Sequence, residues 1–493
     1  MSQWYFHDLE WWGLDYPPLT AYHSWILGKV GSFISPAWFA LYSSRGSDDP
    51  TLKIFMRATV IVSEYLIYIP AAVIFVRRFS RLFGVAQWAA NVALVAILMQ
   101  PATILIDHAH FQYNTVMLGF VLASMSSMVA GRYMWASIFF VAALGFKQMA
   151  LYYAPAVFAF LLGSCIFPTF RIGRFFGIAA VTVLSFVVLI LPFVLGVLVD
   201  ASRGVNPQPE LEGQHTPLPI FGFLSDYLDA SAFYYPVVRQ LIQMIHRVFP
   251  FARGLFEDKV ANFWCAANVV IKLRKYPTAL LQRASLAATL VSIAPPCTII
   301  FIRPRKELLP YAFGATAWGF FLFSYQVHEK SALLPLLPMT ILLAGKEGLG
   351  QDVRAWVGFA NILGAWTMFP LLKRVDLQIP YAVLTLLWAY LLGLPPTSMG
   401  AYARISDSGT TWLQLATSVV HRLFYVAMGV WHALELFMLP PQGKPDLWTV
   451  ANVGLGAAGF SLCYLWCLGM LVSESGILAR KSKDGAKAKV KTK

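Results

Sequence analysis

The sequence predicts an all-α polytopic membrane protein, a bundle of about 13 transmembrane helices carrying amphipathic helices on one side. Three observations point there. Of 493 residues, 58% are hydrophobic and only 13% charged, where a soluble domain carries about 25% charged residues. Apolar runs recur along almost the whole chain, which raises the mean hydropathy to +0.62. Arg and Lys gather at the flanks of those runs, as they do at membrane surfaces.

Taken in order, the runs give thirteen spans: 55–76, 85–105, 115–130, 133–146, 149–166, 175–199, 285–302, 308–325, 332–344, 355–372, 379–394, 424–439 and 447–472. Each has to be helical, because an unpaired backbone group cannot face lipid. Arg77, Arg78 and Arg81 mark the cytosolic end of the first span, and counting onward places Arg132, Arg171 and Arg174 on the same side. Counting back from the basic C-terminus places Arg404, Lys346, Arg354, Arg303, Arg305 and Lys306 there too. The two counts agree if residues 200–283 cross the membrane an even number of times, most simply zero. The expected organisation is then a luminal segment 1–54, a first transmembrane group 55–199 and a large luminal region 200–284 with amphipathic helices. A second transmembrane group 285–473 and a basic cytosolic tail 474–493 follow. Lys272, Arg274, Lys275 and Arg283 break the charge rule in the large luminal region, as long loops often do.

The net charge of +14 suggests nucleic acid only until it is located. Arg480, Lys481, Lys483, Lys487, Lys489, Lys491 and Lys493 stand against a single Asp484 in the tail, and most other cations flank spans. A membrane surface accounts for this pattern, and no nucleic-acid partner is expected. Five scattered cysteines give no disulfide framework, and Cys463 and Cys467, though on one helical face, lack the His or carboxylate company of a metal site. They read as buried thiols.

Polar residues that are not simple flanks gather in five clusters, all on the luminal side by the same parity: 12–23, 107–114, 145–149, 253–264 and 326–331. Convergence of such clusters beneath aromatic-rich helices describes a membrane-embedded site. Each also has a plainer reading. Asp15, before Tyr-Pro-Pro, opens a turn or supplies a carboxylate. His108 and His110 suggest a fragment of a metal site, yet only Asp107 stands near them and the chain has no Asp-x-Asp pair, so neither metal nor cofactor is expected. Lys147 is a snorkelling interface residue or a pocket cation. His328, Glu329 and Lys330 are span-flanking charge or site residues, and Arg253, Glu257, Asp258 and Lys259 pair along a helix or join the site. Gln112 and Gln148 are further pocket candidates by position.

These residue types suit sugar transfer from a lipid phosphate. Negative charge grows on the departing phosphate, and without a metal only Lys, Arg or His can stabilise it. The acceptor hydroxyl needs a carboxylate, and the lipid tail needs an apolar groove at membrane depth.

The runs 12–24 (including Trp-Gly-Leu-Asp-Tyr-Pro-Pro at 12–18), 110–114, 145–155, 249–265 and 321–338 together resemble the dolichyl-phosphate-glucose-dependent α-1,3-glucosyltransferases of endoplasmic-reticulum asparagine-linked glycosylation. The resemblance is greater to the branch that adds the first glucose to the nine-mannose lipid-linked oligosaccharide than to the sister branch adding the second. It implies a GT-C-like fold with fourteen spans, one inverting transfer from dolichyl-phosphate-glucose, a luminal site and no metal. It implies that His328 contacts the donor phosphate with Lys330 as helper, and that Asp15 is the second acidic residue of the first luminal loop. It also implies a catalytic Asp and a span upstream of Met1, so the expectation is an N-terminally truncated chain or an inactive one. The ending Lys489-Val490-Lys491-Thr492-Lys493 is similar to Lys-x-Lys-x-x retrieval signals, or is a basic tail attracted to anionic lipid. A lipid-sugar transporter or scramblase is the alternative from another class. It would place charge at mid-membrane and show internal repeats, whereas here only Glu64 lies mid-span and no repeat is visible.

Overall fold

The computed structural model describes residues 1–9, 13–205, 229, 231–249, 259–402 and 411–478, and all regular structure among them is helical. Arg253, Glu257, Asp258, Arg404 and the basic tail lie outside the described residues. The chain opens with a short segment and helix α1 (Pro18–Ile34). Then come α2 (Pro50–Leu82), α3 (Gln87–Ala109), α4 (Asn114–Val129), α5 (Tyr133–Phe146), α6 (Gln148–Ile166) and α7 (Ile172–Ser202). Two shorter helices, α8 (Tyr235–Val248) and α9 (Phe263–Ile271), precede α10 (Thr278–Ile302). The remainder comprises α11 (Leu309–Phe323), α12 (Leu333–Thr340), α13 (Gln351–Thr367), α14 (Gln378–Leu392), α15 (Trp412–Phe437) and α16 (Leu447–Ser475).

Seven of these (α2, α3, α6, α7, α10, α15 and α16) are long and apolar enough to cross a membrane, and α4, α5 and α14 are shorter apolar helices. Every one of the thirteen expected spans falls on helical backbone. The boundaries shift where polar residues ride on a helix. Helix α10 begins at Thr278, so Arg283 is an exposed residue of that helix and not of a loop. Helix α15 begins at Trp412, ahead of the expected 424, because Thr411 and Gln414 form a reciprocal cap: Thr411 N–H donates to Gln414 Oε1 (3.0 Å) and Gln414 N–H to Thr411 Oγ1 (3.3 Å).

Close approach between helices rests on small residues, as in membrane bundles generally. A Cβ at Gly119 of α4 would lie 2.9 Å from the Cα of Tyr68 in α2, and one at Gly163 of α6 would lie 2.2 Å from the carbonyl oxygen of Phe301 in α10. Helix α11 is buried along almost its whole length, Trp318 and Phe321 packing against Phe460 of α16. Cys463 and Cys467 of α16 are buried in the same core. Deep in the bundle, Gln100, Thr340 and Asn361 tie α3, α12 and α13 together: Gln100 Nε2 donates to Asn361 Oδ1 (2.6 Å) and Asn361 Nδ2 to Thr340 Oγ1 (3.0 Å).

Two features shape the end of the bundle that carries the polar clusters. Helices α2 and α3 each contain a π turn, Glu64–Tyr68 and Leu105–Ala109, an irregularity common at functional sites. Above them sits a cap made by the N-terminal segment, α1, the end of α7 and α8. Its core is Phe193, with ring centroids of Trp4, Tyr5 and Tyr22 5.7, 5.4 and 5.4 Å away. Helix α8 buries Gln240, Gln243, Met244, Arg247 and Val248, a 3–4 residue spacing that defines one packed face.

Candidate active site

The loop carrying Asp15 is held on three sides. Gly13 is needed for close packing, since a Cβ there would sit 2.5 Å from the carbonyl oxygen of Asp8. Tyr5 donates its hydroxyl to the carbonyl of Tyr16 (2.8 Å). Pro18 at the first position of α1 starts the helix with a preset φ and no orphan N–H. In the first turn, Thr20 donates its hydroxyl to the carbonyl of Phe146, the last residue of α5. That carbonyl has no helical partner because the chain turns extended at Lys147 (φ −146°, ψ 124°). The bond Thr20–Phe146 therefore brings the Asp15 loop against Lys147.

His23 docks the same helix more deeply. Its ring packs on Tyr113 and Phe146 (4.9 and 5.4 Å), and Nε2 lies 3.0 Å from Ser63 Oγ. The Ser63 hydroxyl already donates to the carbonyl of Thr59 (2.7 Å), so His23 Nε2–H is the donor. Burial pushes the His23 pKa down, keeping the ring neutral.

The segment 105–114 supplies most of the remaining polar groups. After its π turn the chain reverses at Phe111, which adopts φ +73°, a conformation a bulky residue takes only when its surroundings fix it. Asp107, with no exposed surface, accepts from Asn114 Nδ2 on Oδ1 (2.7 Å) and from the Thr115 N–H on Oδ2 (2.5 Å). Asn114 turns its other amide atom to Lys147, whose Nζ donates to Asn114 Oδ1 (2.5 Å) and Gln112 Oε1 (2.9 Å). Lys147 is only 8% exposed and its ammonium lies 6.0 Å from the centre of the Tyr16 ring. It is a buried cation, so the snorkelling reading is set aside. Burial pushes its pKa down to about 8; the charges of Asp107 and Asp15 resist that shift and Lys330 adds to it.

Lys330, in the short helical turn Glu329–Ala332, brings the last cluster in: its Nζ is 3.3 Å from His110 Nε2. Burial first, then the Lys330 charge, lowers the His110 pKa. The ring is therefore neutral, and its Nε2 lone pair accepts from the ammonium. His328 caps this turn through backbone contacts, its N–H donating to Ser331 Oγ (3.2 Å) and its carbonyl accepting from the Ser331 N–H (2.9 Å). His328 and Glu329 are both half-buried.

Asp15, Lys147, Asp107, Asn114, Gln112, His110 and Lys330 thus form one electrostatic group drawn from four of the five clusters. Of the fifth, Lys259 pairs with Asp446, Asn262 caps α9, and Trp264 Nε1 donates to the carbonyl of Phe323 (2.7 Å) just ahead of the turn 329–332. Gln148 does not join the group. Its Nε2 donates to the carbonyl of Val248 (3.2 Å) and fastens the cap helix α8. His108 is likewise committed elsewhere, to the buried Glu64 of α2. Among the described residues no three His, Cys, Asp or Glu side chains converge as metal ligands.

Two contributors escape a reading of the sequence. Arg247 of α8, 3% exposed, donates to the carbonyl of His7 (2.8 Å) within electrostatic reach of Asp15 and Asp8. Glu64, 5% exposed, meets His108 across the two π turns. The only sequence signal for either was the isolation of Glu64 within an apolar run.

Comparison with known proteins finds relatives over nearly the whole chain. A probable dolichyl pyrophosphate Man9GlcNAc2 alpha-1,3-glucosyltransferase of Schizosaccharomyces pombe is 42% identical over 491 residues, covering 99% of this chain and 86% of that protein. A dolichyl pyrophosphate Man9GlcNAc2 alpha-1,3-glucosyltransferase of Saccharomyces cerevisiae is 40% identical over 485 residues, 94% of this chain and 82% of that one. A protein of the same description from Gallus gallus is 33% identical over 487 residues, 93% of this chain and 85% of its own length. The family model for the ALG6, ALG8 glycosyltransferases matches residues 1–204 and 226–468, through the cap, the π turns and the bundle alike, and the chain belongs to that family.

Proposed function

We propose that this protein transfers glucose from dolichyl-phosphate-glucose to the nine-mannose dolichyl-diphosphate-linked oligosaccharide, forming an α-1,3 linkage, at the luminal face of the endoplasmic-reticulum membrane. The acceptor is supported by the names of the relatives. The donor is supported by one observation above all: two ammonium groups, Lys147 and Lys330, converge with a neutral imidazole, His110, beside the carboxylate of Asp15. In the transfer, the bond from glucose C1 to the phosphate oxygen breaks and its electron pair stays on the phosphate. The acceptor hydroxyl oxygen forms the new bond to C1 from the opposite side and its proton passes to a carboxylate. Dolichyl phosphate leaves with one more negative charge than the donor carried. Lys147, Lys330 and His328 are assigned to that charge, and Asp15 to the acceptor side. Preorganised cations are worth most where water is excluded, and the buried setting of Lys147 meets that condition.

The test is glucose transfer by purified protein, using dolichyl-phosphate-glucose with acceptors bearing either no glucose or one. Transfer is expected to the unglucosylated acceptor, with loss of about a hundredfold or more in kcat for His328→Ala and Lys330→Gln. Full activity of both variants would remove this cradle from the reaction, and preference for the monoglucosylated acceptor would reassign the step.

A further inference from the structure

Asp107 and Lys147 are opposite charges that do not touch. Asn114 stands between them, and its orientation is forced: the carboxylate takes its N–H (2.7 Å), so the amide oxygen is left for the ammonium (2.5 Å). Both carboxylate oxygens are occupied, the second by the Thr115 N–H at the start of α4 (2.5 Å). A direct ion pair would neutralise Lys147 and compete with an incoming phosphate. The interposed amide avoids this, because compensating charge stays inside the protein while the ammonium still presents a donor. Lys147 has three N–H groups; Gln112 and Asn114 take two, and among the described residues the third makes no hydrogen bond, with the Tyr16 ring 6.0 Å away.

On the reading of Lys147 as a cation for the donor phosphate, we propose that Asp107 is a positioning residue of the transfer reaction, acting through Asn114 to hold Lys147 charged and aimed at the leaving phosphate. Neither Asp107 nor Asn114 touches substrate in this assignment. The geometry leaves little freedom for substitutes. Aspartate at 114 would set two carboxylates together, and an apolar residue would strip the buried ammonium of its nearest acceptor.

The groups facing Lys147 are Asp107 from α3, Asp15 and the Tyr16 ring from the N-terminal loop, and Lys330 with its neutral partner His110. His23, behind Phe146, is held neutral by burial. Activity that requires protonated Lys147 is lost as pH rises through the pKa of that group, giving an alkaline limb. Burial lowers this pKa and the Asp107 charge opposes the lowering, so removing that charge moves the limb to lower pH.

The experiment measures glucose transfer against pH for the full chain and for Asp107→Asn, Asn114→Leu and Lys147→Gln, together with thermal midpoints. Asp107→Asn is expected to shift the alkaline limb down by about one pH unit or more, and to lower kcat at least about tenfold at neutral pH with acceptor KM unchanged. Asn114→Leu is expected to act in the same direction, and carries the test if Asp107→Asn fails to fold. Lower thermal stability with an unmoved limb in the folded variants, while Lys147→Gln is inactive, would overturn the proposal and reduce Asp107 to a helix cap. Full activity of Lys147→Gln would instead overturn the phosphate-cation reading on which the proposal rests.

Discussion

Arg247 fastens the Asp15 loop from above. Its guanidinium donates to the carbonyl of His7 and lies in the field of Asp8 and Asp15, so a buried cation faces two carboxylates across the loop. Burial lowers the Arg247 pKa and the two carboxylates counter that shift; the group stays charged. Hydrogen bonds of this charge-assisted kind contribute about 1.5–3 kcal/mol. Arg247→Met is therefore expected to loosen residues 1–17, seen as faster limited proteolysis of that segment and a lower kcat with the bundle intact. Arg247→Lys restores charge but not the planar fork and is expected to recover only part of the loss; wild-type protection in both variants would contradict this account. Lys147, His110 and Lys330 drew attention in the sequence because each belongs to a polar cluster set between apolar runs. Arg247 did not, because an arginine on an amphipathic helix reads as a solvated face. Gln148 shows the converse: position beside Lys147 suggested a site residue, but its side chain fastens α8.

The elements were legible as helices and illegible as irregular ones. Hydrophobic periodicity locates α2 and α3, but a single π turn adds one residue to a helical turn and leaves the apolar pattern nearly intact. Those turns place Glu64 and His108 opposite each other, a contact separated by 44 positions in sequence that no local pattern reports. Gly119 completes the arrangement by letting the backbone of Tyr68 come within reach of α4. Leaving one member of a buried polar pair unsatisfied costs about 1–3 kcal/mol. Glu64→Leu is expected to lower the thermal midpoint of the detergent-solubilised protein clearly, while Glu64→Gln, which still accepts a hydrogen bond from His108, should lower it less. Equal losses would show that the pair does not bridge the two turns in solution.

At the scale of the whole molecule, thirteen apolar runs were enough to expect a helical bundle, because backbone satisfaction in lipid allows little else. What the runs could not show is which helices meet, since one apolar face is chemically much like another. A side-chain network that ties the early helices to the late ones is polar: Gln100 of α3 with Thr340 of α12 and Asn361 of α13. Thr103 donates to Gln100 Oε1 (2.8 Å), so both ends of the Gln100 amide are satisfied and the cluster specifies one register between the helices. Interhelical hydrogen bonds in membranes are each worth about 0.6–2 kcal/mol. Asn361→Leu is expected to destabilise by roughly that amount, because the NH2 end of the Gln100 amide then keeps only its 3.4 Å approach to Thr340. Adding Gln100→Leu removes the stranded amide, so the double variant should lose less than the sum of the two single losses. Glucose transfer at low temperature should be retained throughout, because the cluster lies on α3 below the π turn that bears Asp107. Strictly additive midpoints would mean that the two amides do not interact and that the cluster does not set the register between α3 and α13.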